Sequence, residues 1–495
     1  MKPLASLCIL AVLLLLATCQ TSREAPLDTP PNILYILADD LGYGEVGAYG
    51  QTKIKTPHLD QLAAEGLRFT QHYSGSPVCA PSRGTLLTGF HTGHGYVRDN
   101  YELGGFADDE ERGQLPLKPG TFTLGKMLQD QGYVTGVIGK WGLGGPGSTG
   151  IPNEQGFDFF YGYLDQKQAH NYYPTHLWRN TAWDTLRNAY FRPHQKLQGN
   201  ENDPASYEPF KGQDYATDLM AEEALAFIRE HRDEQFFLYL PFTVPHLALQ
   251  VPDEELAQYD GAFEETPYKG EKGYLPHPRP LSAYAAMITR MDTHIGRIMD
   301  LLKALDLDDN TLVMFSSDNG TTYTGGVDAA FFESTGPLRG LKGSVYEGGI
   351  RVPMIARWPG RVAPGTTTDH ISAFWDVLPT LAELTGTAPP ADIDGISFLP
   401  TLLGQGEQTP HESLYWEYHG LWKGAQAVRL GDWKGVRLGG HNDPDAPIEL
   451  YNLASDPGEQ QNVADRHPDI VAQIRSVMDS RTPSEIERWN FATED

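Results

Sequence analysis

Short apolar runs that stop at polar, glycine-rich turns alternate along this chain with segments whose apolar residues fall three or four positions apart. Ile33–Ala38 is such a run, too short for a buried helix and bounded by Asp39-Asp40 and the turn-rich Leu41-Gly42-Tyr43-Gly44, so it reads as a strand buried on both faces. The same reasoning predicts strands over Tyr133–Ile138, Phe236–Leu240, Thr311–Phe315 and Pro353–Ala356. Helical spacing predicts helices over Thr56–Glu65, Thr123–Gln129, Tyr215–Glu230, Leu281–Leu305 and Ala373–Leu384. Strands alternating with helices imply an α/β domain built on a mainly parallel sheet. In such sheets ligands bind beyond the carboxyl ends of the strands, and Asp39-Asp40 and Asp318-Asn319 each follow a predicted strand.

The pattern changes near Leu414. Leu414–Tyr418, Ala427–Leu430, Lys434–Leu438 and Glu449–Tyr451 are short strand-like segments joined by turns, and Asp469–Ser480 has helical spacing. They predict a small antiparallel sheet covered by one helix. At the other end, Lys2 precedes the apolar run Leu7–Ala17, which is too short to span a bilayer comfortably and reads as an export signal. The run closes on Leu16-Ala17-Thr18-Cys19, similar to a bacterial lipobox in which Cys19 becomes the lipidated first residue. Thr18 is less usual there than Gly, Ala or Ser, so an ordinary cleaved signal stays open. The expected organisation is a signal peptide over residues 1–19, a tether over 20–30, a catalytic domain over 31–410 and a C-terminal subdomain over 411–495. The expected location is periplasmic or at the cell surface, with a lipid anchor in the membrane.

Composition narrows the classes. At 495 residues, with 40% hydrophobic and 21% charged residues, the chain has enough apolar material for a large core. Its formal charge of −27 argues against a nucleic-acid partner. An anionic substrate would then need a locally positive pocket. Of the three cysteines, Cys8 lies in the leader and Cys19 at its end, leaving Cys79 with no core partner for a disulfide.

A lone cysteine is most often a small buried hydrophobe. Cys79, however, opens Cys79-Ala80-Pro81-Ser82-Arg83, followed by Gly84-Thr85-Leu86-Leu87-Thr88-Gly89. Adjacent carboxylates such as Asp39-Asp40 can be a turn or cap, and Asp318-Asn319-Gly320 can be a turn; together they offer the all-oxygen ligands that suit Ca²⁺ or Mg²⁺. These motifs, with Gly139-Lys140-Trp141, Pro245-His246, Lys342 in Leu338–Gly343 and the run Tyr346–Pro353, resemble the type I sulfatases of the alkaline phosphatase superfamily. Leu450-Tyr451-Asn452-Leu453, Asp456-Pro457 and Asn462 resemble that family's C-terminal subdomain, so the likeness runs from about residue 31 to 465.

The resemblance implies an alkaline-phosphatase-like fold and hydrolysis of sulfate esters by a formylglycine that a maturation enzyme makes from Cys79. It implies Ca²⁺ held by Asp39, Asp40, Asp318, Asn319 and residue 79. It gives Arg83 the task of steadying that site, Lys140 and Lys342 the sulfate and leaving oxygen, and His246 the part of general acid. Glu347–Pro353 reads as scaffold.

One position departs from the family. Its Lys-Trp-His-Leu-Gly motif is here Lys140-Trp141-Gly142-Leu143-Gly144, so the histidine that takes the proton when sulfate is expelled is missing. His170, in Gln168–Pro174, is the candidate replacement, with His94 behind it. Tyr161, Tyr163, Tyr172, Tyr173, His176 and Trp178 crowd around His170 and Asn171, which suits either a sugar-binding surface or a packed loop. Sulfated sugar is the expected substrate, with His170 and Asn171 contacting it. A phosphonate or phosphate-ester hydrolase and a catalytically silent sugar-binding protein are the alternatives.

Overall fold

The apolar run at Ile33 becomes the middle strand of an eleven-stranded sheet in the computed structural model, which describes residues 30–420 and 423–492. The strands are β1 (Asn32–Asp39), β2 (Leu67–Tyr73), β3 (Val134–Lys140), β4 (Phe159–Tyr163), β5 (His176–Arg179), β6 (Ala182–Thr185), β7 (Phe236–Pro245), β8 (Thr311–Ser317), β9 (Arg351–Arg357), β10 (Thr366–Thr368) and β11 (Ser372–Ala373). They lie in the order β10-β2-β9-β8-β1-β7-β3-β4-β5-β6, with β11 also beside β2. The central strands β8-β1-β7-β3-β4 are parallel, whereas β9 runs against both neighbours and β4-β5-β6 is an antiparallel edge.

Register lines up apolar residues across the centre on one face, while Ile33, Tyr35 and Leu37 are buried on the other. Leu34 sits opposite Leu238 and Val313, and Ile36 opposite Leu240 and Phe315. Helices Pro57–Ala64, Ala216–Glu230 and Pro280–Ala304 bury Leu59, Leu62, Met220, Ala224, Ile288 and Ile295 in the cluster containing Leu34, Ile36 and Leu238. Helices Cys79–Thr88, Leu124–Asp130 and Val377–Thr385 form a second group, the first touching the other two. Among the described residues no helix is long and apolar enough to cross a membrane. The leader, Cys19 and the tether up to residue 29 lie outside the described residues.

A separate four-stranded antiparallel sheet follows: β12 (Leu414–Tyr418), β13 (Ala425–Leu430), β14 (Trp433–Leu438) and β15 (Ile448–Asn452), in that order. The helix Pro468–Asp479 covers one face, burying Ile474 and Met478 beside Val428 and Leu450. The other face packs Trp416, Val436 and Tyr451 with Tyr73, Ile350 and Trp375 of the large domain. The described residues from Pro31 onward cluster as one unit.

A buried charge network crosses this junction. Glu347 accepts bonds from Tyr73 Oη (2.8 Å), Arg351 Nε (2.6 Å) and Lys434 Nζ (2.9 Å), while Lys434 also pairs with Glu459 at 3.1 Å. Removing one partner strands the other charges out of water, so Glu347→Gln is expected to cost about 3–5 kcal/mol. Denaturant unfolding measures this; a loss below about 1 kcal/mol would show that the network contributes little.

The predicted elements are present with shifted ends. Phe236–Leu240 extends to Pro245, and the helix expected from Ala373 begins at Val377 after a short 3₁₀ turn in which Asp376 Oδ2 accepts Ala373 N at 2.7 Å. Strands β2, β4, β5, β6, β10 and β11 are not among the predicted ones: β4 is an aromatic run read as part of a binding or packed loop, and the others carry no long apolar run. The helix Cys79–Thr88 was not predicted either. Its first nine residues are all buried, Arg83 included, so it shows no amphipathic period.

Candidate active site

The parallel strands deliver their chemistry at one edge. Asp39 ends β1, Lys140 ends β3, Asp318 and Asn319 follow β8, and His246 follows β7. Because β1 lies between β7 and β8, its two aspartates are hemmed in from both sides. Asp318 N donates to Ala38 O at 3.0 Å, and Asp40 N donates to Asp318 Oδ1 at 3.1 Å. Asp40 adopts φ 68°, a left-handed conformation that costs an L-residue about 1 kcal/mol. Asn319 Nδ2 helps hold it there, donating to Asp40 Oδ1 at 2.8 Å. Cys79, the first residue of its helix, points its thiol at this pair: Sγ is 3.4 Å from Asp39 Oδ1 and 3.9 Å from Asp40 Oδ1.

Cations interleave with the carboxylates. Lys140 Nζ meets Asp39 Oδ2 at 2.6 Å. Arg83 donates Nε (3.0 Å) and Nη2 (2.8 Å) to Asp318 Oδ2, and its Nη1 to the carbonyl of Lys140. Lys342 Nζ lies 2.7 Å from Asp40 Oδ1 and 3.4 Å from Cys79 Sγ. Three cations thus face three aspartates, and the acidic exterior does not carry through to this pocket.

Burial and charge shape the protonation. Burial raises the Cys79 thiol well above its ordinary value, with Lys140 and Lys342 pulling only part of the way back. Burial would also raise Asp39, but Lys140, His246, Arg83 and Lys342 overcome it and hold the carboxylate well below the usual range. Asp318 is raised by burial and by the charge of Asp39, against the pull of Arg83. His246 is lowered to about 4 by burial and by Lys342 and Lys140. Its Nδ1 lies 2.7 Å from Leu247 O, which only accepts, so Nδ1 carries hydrogen and Nε2 faces Asp40 Oδ2 at 3.8 Å.

A hard cation fits here. Asp39, Asp40, Cys79 and His246 each offer a ligand atom within 4.8 Å of the others. Asn319 Oδ1 is buried without a hydrogen-bond partner beside Asp40 and Asp318. An orphaned acceptor among carboxylates calls for a positive ion.

A cleft of about 260 Å³ opens above these residues, lined by Cys79, Lys140, His246, Lys342 and His170 and also by Asn100, Glu102, Gln166, Tyr274, Tyr323 and Tyr418. The last six were not anticipated; five come from loops and Tyr418 from the end of β12, far apart in sequence, and they carry no motif. Glu102 is raised to about 7 by burial and Asp165. His170 stacks on His246, ring centres 4.9 Å apart.

Other expected contacts do not reach the cleft. Asn171 spends its amide on Tyr173, donating to its carbonyl at 3.2 Å and accepting its N–H at 2.9 Å, and it does not line the cleft. His94 is bonded to Asp394 at 2.8 Å and lines a different cavity. The aromatic crowd is mostly core: Tyr161, Tyr163, Tyr172 and Tyr173 are buried, and Tyr172 Oη donates to His246 O at 2.7 Å, bracing the end of β7.

Known proteins share this arrangement across the whole domain. The family described as Sulfatase matches residues 31–387, and N-sulphoglucosamine sulphohydrolase, C-terminal, matches 341–483. The N-acetylgalactosamine-6-O-sulfatase of Bacteroides thetaiotaomicron is 32% identical over 91% of this chain and 93% of its own length. Human arylsulfatase A is 34% identical over 90% of this chain and 87% of its own. The crystal structure of Ps i-CgsB superposes with a TM-score of 0.74 at 28% identity, over 91% of this chain and 92% of that one. With its α/β sheet and separate C-terminal sheet, this chain belongs to the sulfatase family: it is a sulfuric ester hydrolase, a type I sulfatase with the alkaline-phosphatase-like fold.

Proposed function

We propose that this enzyme removes sulfate from a sulfated sugar, using a formylglycine made from Cys79 and a calcium ion held by Asp39, Asp40, Asp318 and Asn319. The observation that carries the reading is the placement of Cys79 Sγ 3.4 Å from both Asp39 Oδ1 and Lys342 Nζ, at the carboxyl edge of the sheet. Hydrated formylglycine supplies a hydroxyl nucleophile for sulfur, and a bound Ca²⁺ supplies positive charge to the sulfate oxygens.

The chain's own residues do the rest. Lys140 and Lys342 place positive charge beside the equatorial oxygens, where negative charge concentrates as the ester bond breaks. Both stay charged despite burial, because Asp39 holds up Lys140 and Asp40 holds up Lys342. Arg83 spans Asp318 and the Lys140 carbonyl and fixes the spacing between β3 and β8. His246 has Nδ1–H committed to Leu247 O, so Nε2 is an acceptor in the neutral ring, and His246 serves as the acid for the departing alcohol only as the imidazolium, a form that the negative charge of a bound sulfate would favour. The neutral cleft gains two positive charges with a divalent ion, enough to draw a sulfate ester past an acidic surface.

The sugar reading draws on the relative that acts on N-acetylgalactosamine 6-sulfate and on the solved complex of Ps i-CgsB with k-i-k-neocarrahexaose. Protein made with a maturation enzyme is tested on 4-nitrophenyl sulfate, 4-nitrophenyl phosphate and a panel of O-sulfated galactose, N-acetylgalactosamine and glucosamine. The expected result is turnover of at least one sugar sulfate with kcat/KM above that of the aryl sulfate. Faster phosphate than sulfate cleavage would favour the phosphoryl alternative, and binding without turnover the silent one.

A further inference from the structure

Gly142 stands where the sulfatase signature carries histidine, and the structure shows what has taken the space. Gly142 has φ 85°, and a Cβ added there would lie 2.3 Å from Gln166 Nε2. A side chain at 142 would therefore push the Gln166 amide out of its present position. Gln166 is 3% exposed and lines the cleft, yet its Nε2 is buried with no hydrogen-bond partner. A buried amide left unpaired is costly, and a rotation of the Gln166 side chain toward the cleft that it lines would let a substrate oxygen satisfy it.

The neighbouring histidine has its proton position fixed by a chain of bonds. Tyr274 N, a backbone donor only, lies 3.1 Å from His194 Nδ1, so Nδ1 accepts. His194 then carries its hydrogen on Nε2, which lies 2.8 Å from His170 Nδ1 and donates to it. That leaves the neutral His170 ring with its hydrogen on Nε2. Phe106 and Tyr274 enclose the pair, at 4.6 Å and 4.4 Å from the His194 ring and 5.6 Å and 5.0 Å from the His170 ring. Burial pushes both imidazoles down, His194 to about 4, in keeping with neutral rings. In this tautomer His170 gives a hydrogen bond at Nε2 and has no free nitrogen to take a proton. It is not the base expected to replace the missing histidine.

We propose that Gln166 and His170 form a subsite that reads a hydroxyl of the sugar ring beside the sulfate, with His194 as the positioning residue that keeps His170 a donor. A sugar hydroxyl both takes and gives a hydrogen bond; His170 Nε2–H supplies one partner and the Gln166 carboxamide supplies either. A side chain at 142 would displace the amide, so glycine there belongs to substrate selection. The inference rests on the sugar-sulfatase reading above, and its test separates the two.

Gln166→Leu and His194→Phe are compared with the unaltered enzyme by two measurements. One is the ratio of kcat/KM on the preferred panel sugar sulfate to that on 4-nitrophenyl sulfate, which has no ring hydroxyl. The other is the calorimetric affinity for that same sugar sulfate, which is N-acetylgalactosamine 6-sulfate if no panel sugar is cleaved. Each variant should lower the ratio about tenfold through KM and weaken sugar affinity similarly, and His194→Gln, whose amide can still donate to His170 Nδ1, should restore most of the loss. Equal losses on sugar and aryl sulfate, or unchanged sugar affinity, would overturn the subsite. An unaltered enzyme that cleaves no ester would overturn the sulfatase mechanism alone, because the affinities still decide the subsite.

Discussion

Cys79→Ala should lower sulfate-ester turnover by about 10⁴-fold or more while leaving the fold intact. The nucleophile is the one part of this site that no neighbour can replace, since Lys140, Lys342 and Arg83 are donors and the aspartates are engaged with them. Cys79 is buried at the first position of its helix, its thiol pushed up by burial and facing Asp39, so an unmodified thiol is a poor nucleophile. Alanine removes one heavy atom from a packed position, and the expected loss of stability is about 1 kcal/mol. Turnover and denaturant unfolding on the same preparation check both halves. Activity within tenfold of the unaltered enzyme would remove Cys79 from the chemistry, and a much larger stability loss would make it a core residue.

Chelation is the second large effect. Asp39, Asp40 and Asp318 lie against one another with Lys140, Lys342 and Arg83 beside them, and Asp318 is raised by burial and by Asp39. A bound Ca²⁺ at about 1,000 times its dissociation constant would add about 4 kcal/mol to the folded state. Removing it should therefore lower the thermal midpoint and reduce turnover by about 100-fold or more, because Lys140 and Lys342 would then face the sulfate without the largest local charge. Readdition of Ca²⁺ should restore both properties. Zn²⁺ should restore little, as the donors are hard oxygens. Identical midpoint and turnover in chelator and in Ca²⁺ would contradict a metal at these aspartates.

Much of the fold was legible because the central strands are continuous apolar runs and the long helices keep a clean period. Ile33–Ala38, Thr311–Phe315 and Phe236–Leu240 read as buried strands, and acidic residues lie just beyond the first two, where parallel strands end. The edge strands β5 and β6 were not legible, since half-exposed residues such as Trp178 and Trp183 lack an alternating signature. Cys79–Thr88 was unreadable for the opposite reason: a helix enclosed on every side has no polar face. At the site, local motifs carried Asp39, Asp40, Cys79, Arg83 and Lys342 to neighbouring positions. The cleft walls were another matter. Gln166, Glu102 and Tyr274, with His194 bonded to His170 beside them, come together through tertiary packing, and nothing in their local sequence marks them. Asn171 shows the reverse error: an amide among aromatics suggested sugar contact, but its side chain closes a turn with Tyr173.

In the proposed mechanism residue 79 acts as formylglycine. Protein co-produced with a formylglycine-generating enzyme should give a residue-79 peptide whose mass corresponds to formylglycine and which reacts with a hydrazide probe. Across preparations with different degrees of conversion, turnover of 4-nitrophenyl sulfate should rise in proportion to the converted fraction. Full conversion without turnover, or equal turnover from wholly unconverted protein, would contradict the account.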